Sequence, residues 1–375
     1  MNEMASVFDQ VVTDRHAWIA RYKAETGRQV AGYFCDYVPE ELLWAAGYAT
    51  VRVTGGRGEV VSADKYLQSN VCSFARRCFD QALDGVFNYL DALVIPHTCD
   101  VINKIYDLWA YRMKDPSFLH YLWVPHKVFD RDATAVMLGE FRRLRQGLEE
   151  HRGAPISDEA IREAIRIYDR YRSLLKRIYA LRRTDPPGLT GTEAFTVSLA
   201  GILAPKDVHI GWMEKLLAEE RPAPAAGRRP RILIAASMLD DADLVRAVEA
   251  SGAWVVADDV CTGSRYFWDL VGEEEADPMK ALVARYLNKV PCPRSFESLA
   301  PRWRHLEALC RDYRVDGVIF YILRCCDAHL FQYPLLRERL EKAGVRHLYL
   351  QGDQTAGIGE AVSNRIQAFT ETLGS

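Results

Sequence analysis

Short unbroken apolar runs, each followed by a longer helical pattern, recur along this chain and restrict its fold class more than any other feature. "QVAGYFCDYVP", "ATVRVTG", "LDALVIPH" and "HYLWVPHKV" alternate with "PEELLWAAGY", "CSFARRCFDQALDGVFN" and "DVINKIYDLWAYRMK". A strand covered on both faces has no polar side, so a continuous apolar run between helices reads as parallel sheet. The alternation restarts at "RILIAASM" and continues through "AWVVADDVC", "DGVIFYILRCCD" and "VRHLYLQGD". The expectation is an α/β chain of two open, parallel-sheet, Rossmann-like domains. A length of 375 residues suits two domains of about 100–200 each.

Boundaries follow from the same reading. Residues 5–28 look helical throughout, so 1–30 is expected to form one N-terminal helix. The first α/β domain is expected over 31–216, including a purely helical segment at 132–183, after which "DPPGLTGTEAF" breaks the helices. "LAEERPAPAAGRRPR" is rich in Pro and Ala, which places a linker at 217–230 and the second α/β domain at 231–375.

The formal net charge is −3 and no long basic run is present, which argues against a nucleic-acid partner. No apolar run approaches the ~20 residues of a membrane span. The first 25 residues lack the layout of a secretory signal. A cytoplasmic protein without a membrane partner is expected.

Nine cysteines are therefore expected to be reduced thiols. Core packing is the ordinary role of a free cysteine. Their positions point elsewhere. Cys35, Cys99, Cys261 and the pair Cys325–Cys326 fall where an expected strand meets its following loop, and Cys72 falls at an expected helix start. Ligands of open parallel sheets bind outside the carboxyl ends of the strands, and helix N-termini favour thiolates. Two facing domains would present these sulfurs to one cleft. Sulfur-only donors from scattered loops suit soft metals, above all an iron–sulfur cluster. A cysteine nucleophile with His97 or His329 would need one thiol, not five. Phosphate-binding glycine motifs are absent, so any ATP must be used by another protein.

From about residue 30 to the C-terminus the motifs "GYFCDYVPEELLWAAGY", "CSFARRCFDQALDG", "LDALVIPHTCD", "DDVCTGSRYFW", "CDAHLFQYPLLRERL" and "NRIQAFTETL" resemble the benzoyl-CoA reductase and 2-hydroxyacyl-CoA dehydratase subunit family. The resemblance implies two α/β domains with a [4Fe-4S] cluster between them, held by Cys72, Cys99 and Cys326. It also implies a separate ATP-hydrolysing activator carrying its own [4Fe-4S] cluster, which delivers single low-potential electrons. Acyl-CoA members form a ketyl radical anion of the thioester, whose oxygen is thought to bind the cluster's open iron site. The family usually has Glu where Gln351 stands and Thr-Arg where Asn364–Arg365 stands, which bears on its standard substrate contacts.

One branch of that family carries a double-cubane [8Fe-9S] cluster in each protomer of a homodimer and reduces small molecules. Two cubanes sharing a sulfide need about six thiolates. Cys35, Cys78, Cys261 and Cys325 supplement the basic three. Cys78 lies six residues after Cys72, about 240° around a helix axis. Cys325 and Cys326 reach one site only if the strand has ended by Arg324. Cys292 and Cys310 are read as structural. This branch is the leading reading. The others are a single-cubane subunit acting on an acyl-CoA with a paralogous partner, a non-catalytic cluster-bearing subunit, and a cluster-free α/β binding protein. His97 and His329 are candidate proton donors. Arg265 and Arg76 are candidates for holding an anionic substrate group or CoA phosphates.

Overall fold

The structure is a computed structural model that describes residues 3–219 and 227–374. The chain opens with α1 (Glu3–Thr13) and α2 (Arg15–Thr26). The single N-terminal helix expected over 5–28 is thus two helices. Asp14 leaves helical geometry (φ −101°, ψ 24°) between them, as suits a residue whose side chain competes with the helical backbone. Gly27, at φ +70°, ends α2 in the left-handed conformation open to glycine.

The first sheet is built from β1 (Val30–Tyr33), β2 (Ala49–Arg52), β3 (Ala92–Pro96) and β4 (Phe118–Leu122), joined by α3 (Glu40–Ala45), α4 (Ser73–Leu83) and α5 (Asp100–Arg112). All its pairings are parallel, in the order β2-β1-β3-β4. β1, β2 and β3 are buried along their whole length, which is why they read as unbroken apolar runs.

Helices α6 (Ala133–Arg152) and α7 (Asp158–Ala180) fill the expected helical segment, α7 capped by Ser157, whose hydroxyl accepts from Ala160 N–H. Two further helices, α8 (Gly191–Leu203) and α9 (Lys206–Ala218), follow. A Thr190–Glu193 capping box starts α8. This helix is buried on nearly every side and packs against β2. Of the expected linker, residues 220–226 lie outside the described residues.

The second sheet contains β5 (Arg231–Ala236), β6 (Trp254–Asp259), β7 (Gly317–Leu323) and β8 (Arg346–Gly352). Its helices are α10 (Asp243–Ala250), the short α11 (Ser264–Phe267), α12 (Pro278–Asn288), α13 (Leu299–Asp312), α14 (Asp327–Lys342) and α15 (Glu360–Gly374). It too is all parallel, in the order β6-β5-β7-β8. Both sheets therefore share one topology, with the strand order reversing between the first and third strands of each. Loops leaving the carboxyl ends at that reversal are where such sheets bind ligands.

The halves share a continuous apolar core. α8 also touches β6, so it lies between the edge strands of the two sheets. α12 departs from the second sheet and packs against α6 and α7, its Leu282, Val283 and Tyr286 buried in the core over the first sheet. Buried polar ties reinforce this. Glu41 on α3 pairs with Arg172 on α7 and accepts from Tyr286 Oη on α12 at 2.8 Å. Glu40 accepts from Tyr266 Oη at 2.6 Å and pairs with the buried Lys206 at 3.1 Å. No helix among the described residues is long and apolar enough to cross a membrane.

Candidate functional site

Three helix starts present sulfur. Cys72 is the N-cap of α4, Cys99 of α5 and Cys326 of α14. A helix start carries unsatisfied N–H groups and the positive end of the helix dipole, both favourable to a thiolate. Burial pushes the Cys72 thiol up to about 11, opposed by the N–H groups of Ala75 and Phe74. Cys99 keeps an exposed surface, yet the protein packed around it raises its thiol, opposed by the N–H groups of Ile102 and Val101; burial raises Cys326, opposed by the N–H of His329. Cys72 lies in the field of Cys99, and Cys326 in the fields of Cys72 and Cys99, so the three sulfurs from both sheets converge. The turn into Cys326 depends on Cys325, whose φ of +63° is the left-handed conformation. β7 ends at Leu323, whose carbonyl accepts from Cys326 N–H at 3.0 Å. The strand has thus ended before the cysteine pair, and Cys325 also lies in the field of Cys72.

A second group lies across the seam. Cys35 follows β1 and Cys261 follows β6. Burial raises the Cys35 thiol, as do Asp36, Cys261 and Cys292, while Arg52 opposes them. Arg52, at the end of β2, donates from Nη2 to Cys261 Sγ at 3.2 Å and from Nη1 to the Cys261 carbonyl at 2.6 Å.

Cys292 joins the two groups. It sits just past α12 on a strap, residues 289–298, that crosses back over the first sheet. Cys292 N–H donates to Tyr37 Oη at 3.2 Å, Arg294 donates to the Val124 and Pro125 carbonyls, and Phe296 N–H donates to the His126 carbonyl at 2.8 Å. From there its thiol acts on Cys35 in one group and on Cys99 and Cys326 in the other. Sequence reasoning took Cys292 as structural and did not place it beside the other thiols. The available signal was "VPCPR", where two prolines hold the cysteine in a stiffened loop.

Two thiols remain. Cys78, on α4, is fully buried in the core and in the field of Cys72, and burial pushes its thiol well up. Cys310 lies on α13, where burial raises it to about 12. Among the described residues no three His, Cys, Asp or Glu groups close around a single ion. Sulfurs spread around a larger body, as in a cluster, make no such single-ion cage.

His97 stands at the end of β3, stacked on Trp123 at 5.9 Å between centroids and edge-on to His126 at 4.8 Å. Burial lowers its pKa, as do His126 and Arg294, and its Nδ1 is buried without a partner. His329 lies buried in the first turn of α14, and burial, Arg265 and Arg302 lower its pKa well below the usual value. Arg265 is 1% exposed and pairs with Asp259 at 3.1 Å, so it faces inward. Arg76 pairs with Asp64. Gln351, Asn364 and Arg365 are exposed. A groove of about 670 Å³, lined by His126, Phe296, Leu299, Phe331 and Leu335 among others, begins one residue after Cys292 and two after Cys326.

Comparison with known proteins agrees with this architecture. The family model for 2-hydroxyglutaryl-CoA dehydratase, D-component, matches residues 35–373. The (R)-phenyllactyl-CoA dehydratase beta subunit of Clostridium sporogenes is 26% identical over 98% of this chain and 97% of its own length. A benzoyl-CoA reductase subunit of Thauera aromatica is 26% identical over 94% of this chain and 92% of its own length. The (R)-2-hydroxyglutaryl-CoA dehydratase beta subunit of Acidaminococcus fermentans is 25% identical over 98% of each. The chain belongs to this family of dehydratase and reductase subunits and is an enzyme component.

Proposed function

We propose that this family member is an iron–sulfur reductase component carrying a double-cubane [8Fe-9S] cluster. It receives low-potential electrons from a separate ATP-hydrolysing activator with its own [4Fe-4S] cluster, and it reduces a small molecule. The observation that carries the reading is the pair of thiol groups. Cys72, Cys99 and Cys326 form one; Cys35, Cys261 and Cys292 form the other, with Cys292 within the field of both. The donors fit the cofactor: they are sulfur only and supply the about six thiolates two cubanes need.

When bound, the cluster supplies low-potential electrons and an iron able to act as a Lewis acid. The chain does the rest. Three helix starts stabilise thiolates from both sheets. The 289–298 strap and α8 hold the halves together, keeping the sulfurs at fixed separation. The groove beside Cys326 gives a small substrate a mainly apolar approach. His97, edge-on to the groove-lining His126 at 4.8 Å between centroids, is the side chain proposed to relay protons between that groove and the cluster side. The relatives are all named as subunits of their enzymes. That supports assembly with a second family member or a second copy of this chain.

A single-cubane subunit acting on an acyl-CoA is the second reading, favoured by the substrates in the relatives' names. Iron and acid-labile sulfide in protein purified without oxygen separate the two. About eight irons and nine sulfides per chain are expected; about four and four would select the single cubane. Near-zero iron in intact anaerobic protein would reject both.

A further inference from the structure

Arg52 is a buried cation without a carboxylate of its own. It is 4% exposed, and among the described residues no Asp or Glu lies within ion-pair distance of it. Its hydrogen-bond partners are the Phe34 carbonyl (3.3 Å), the Cys261 carbonyl and the Cys261 sulfur, with the Met238 sulfur at 3.9 Å. A guanidinium taken from water needs a compensating anion, or its burial is strongly unfavourable. The nearby carboxylates are already taken. Asp36 pairs with Lys289 at 2.6 Å, and Asp259 is shared by Arg265 at 3.1 Å and Arg302 at 2.6 Å. Four buried cations thus face two buried carboxylates, and the side left positive is the one holding Cys35, Cys261 and Cys292. Arg265 repeats the imbalance: its Nη1 is buried without a hydrogen-bond partner, in the field of Cys261 and Cys292. The other sulfur group differs. The dominant influences on Cys72, Cys99 and Cys326 are burial, other thiols, an Asp and backbone N–H groups, with no basic side chain among them.

We infer that Arg52 is the resident counter-charge of the centre held by Cys35, Cys261 and Cys292, and that it makes this half of the cluster the easier half to reduce. This rests on the double-cubane reading. A fixed positive charge and an N–H donor to a ligand sulfur both favour the more negative, reduced state of an iron–sulfur centre. One electron arriving at the cluster then settles on the Arg52 side, and a second must enter the half without a cation. Arg52 is a positioning residue in this scheme; it need not touch substrate.

The test is an anaerobic redox titration of the loaded protein with titanium(III) citrate, which gives one electron and becomes titanium(IV). It is followed by electron paramagnetic resonance, with iron and sulfide counted on each sample. Arg52→Gln is expected to keep the wild-type iron content, move the first reduction step to more negative potential and leave the second nearly unmoved. Arg52→Lys, which keeps the charge, is expected to return the first step toward wild type, and it serves if the Gln variant does not fold. Unchanged steps in fully loaded Arg52→Gln would overturn the inference. So would a first step in Arg52→Lys as negative as in the Gln variant, because charge would then not be the agent. The underlying reading fails separately: wild-type protein with about four irons per chain removes the second centre whatever the Arg52 variants do.

Discussion

Replacing Glu41 with Gln tests whether buried polar ties, and not only the apolar core, hold the two halves in register. Glu41 is fully buried and meets Arg172 from α7 and Tyr286 Oη from α12, so one carboxylate fastens three elements. Glutamine keeps the shape and removes the charge. Breaking one side of a buried ion pair costs about 3–5 kcal/mol, and Arg172 retains Asp169 at 3.0 Å, so the lower end, about 3 kcal/mol, applies. Unfolding entropy near 2.1 cal/mol/K per residue gives roughly 0.8 kcal/mol/K for 375 residues, so Tm should fall by about 4 °C. The pH dependence has a definite sign. Burial works to raise the Glu41 pKa, but Arg172 and Arg285 outweigh it and hold the carboxyl below its usual range. A depressed folded-state pKa contributes stability above the unfolded value near 4.3, and that contribution is lost as pH falls through the folded value. Differential scanning calorimetry of both proteins from pH 7 to pH 3 should show a gap that closes in acid. A Tm loss below about 1 °C at pH 7, or a gap that widens in acid, would refute the reasoning.

Serine in place of Cys72, Cys99 or Cys326 should each remove about half the iron or more, while Cys78→Ser and Cys310→Ser should leave the iron count at wild type, read by metal analysis of anaerobic protein. Gly191→Ala should destabilise by about 1–3 kcal/mol in chemical denaturation, because a Cβ there would meet the Val255 carbonyl oxygen at 2.4 Å and push α8 from β6. Gly139→Ala, in α6 with nothing within 4 Å of the new methyl, should instead stabilise by about 1 kcal/mol. Tyr266→Phe removes the donor to Glu40 and should cost about 1–3 kcal/mol by the same assay, since a buried carboxylate oxygen loses its 2.6 Å partner.

The strands were legible because most are buried on both faces, leaving apolar runs with few competing signals. The shared order of the two sheets was foreshadowed by the repeated alternation, although pairing order needs the tertiary structure. α8 escaped notice for a physical reason. Its sequence, "GTEAFTVSLAGIL", is buried nearly all round, so no amphipathic period marks it. α12 did carry a readable start, since Asp277 caps it and Pro278 follows; only its packing on the first sheet's helices was hidden. That crossing is what brings Cys292 over the cleft, and spacing along the chain could not disclose it. The convergence of Cys72, Cys99 and Cys326 was legible in part, because strand ends and helix starts are recognisable. The imbalance around Arg52 was not, because it depends on which carboxylates are already paired.

Diffraction from anaerobically grown crystals at the iron absorption edge tests the central claim most directly. Two adjoining iron centres are expected, one bounded by Cys72, Cys99 and Cys326, the other by Cys35, Cys261 and Cys292, with Arg52 against the second. A single iron centre confined to Cys72, Cys99 and Cys326, with Cys35, Cys261 and Cys292 free of iron, would contradict the account.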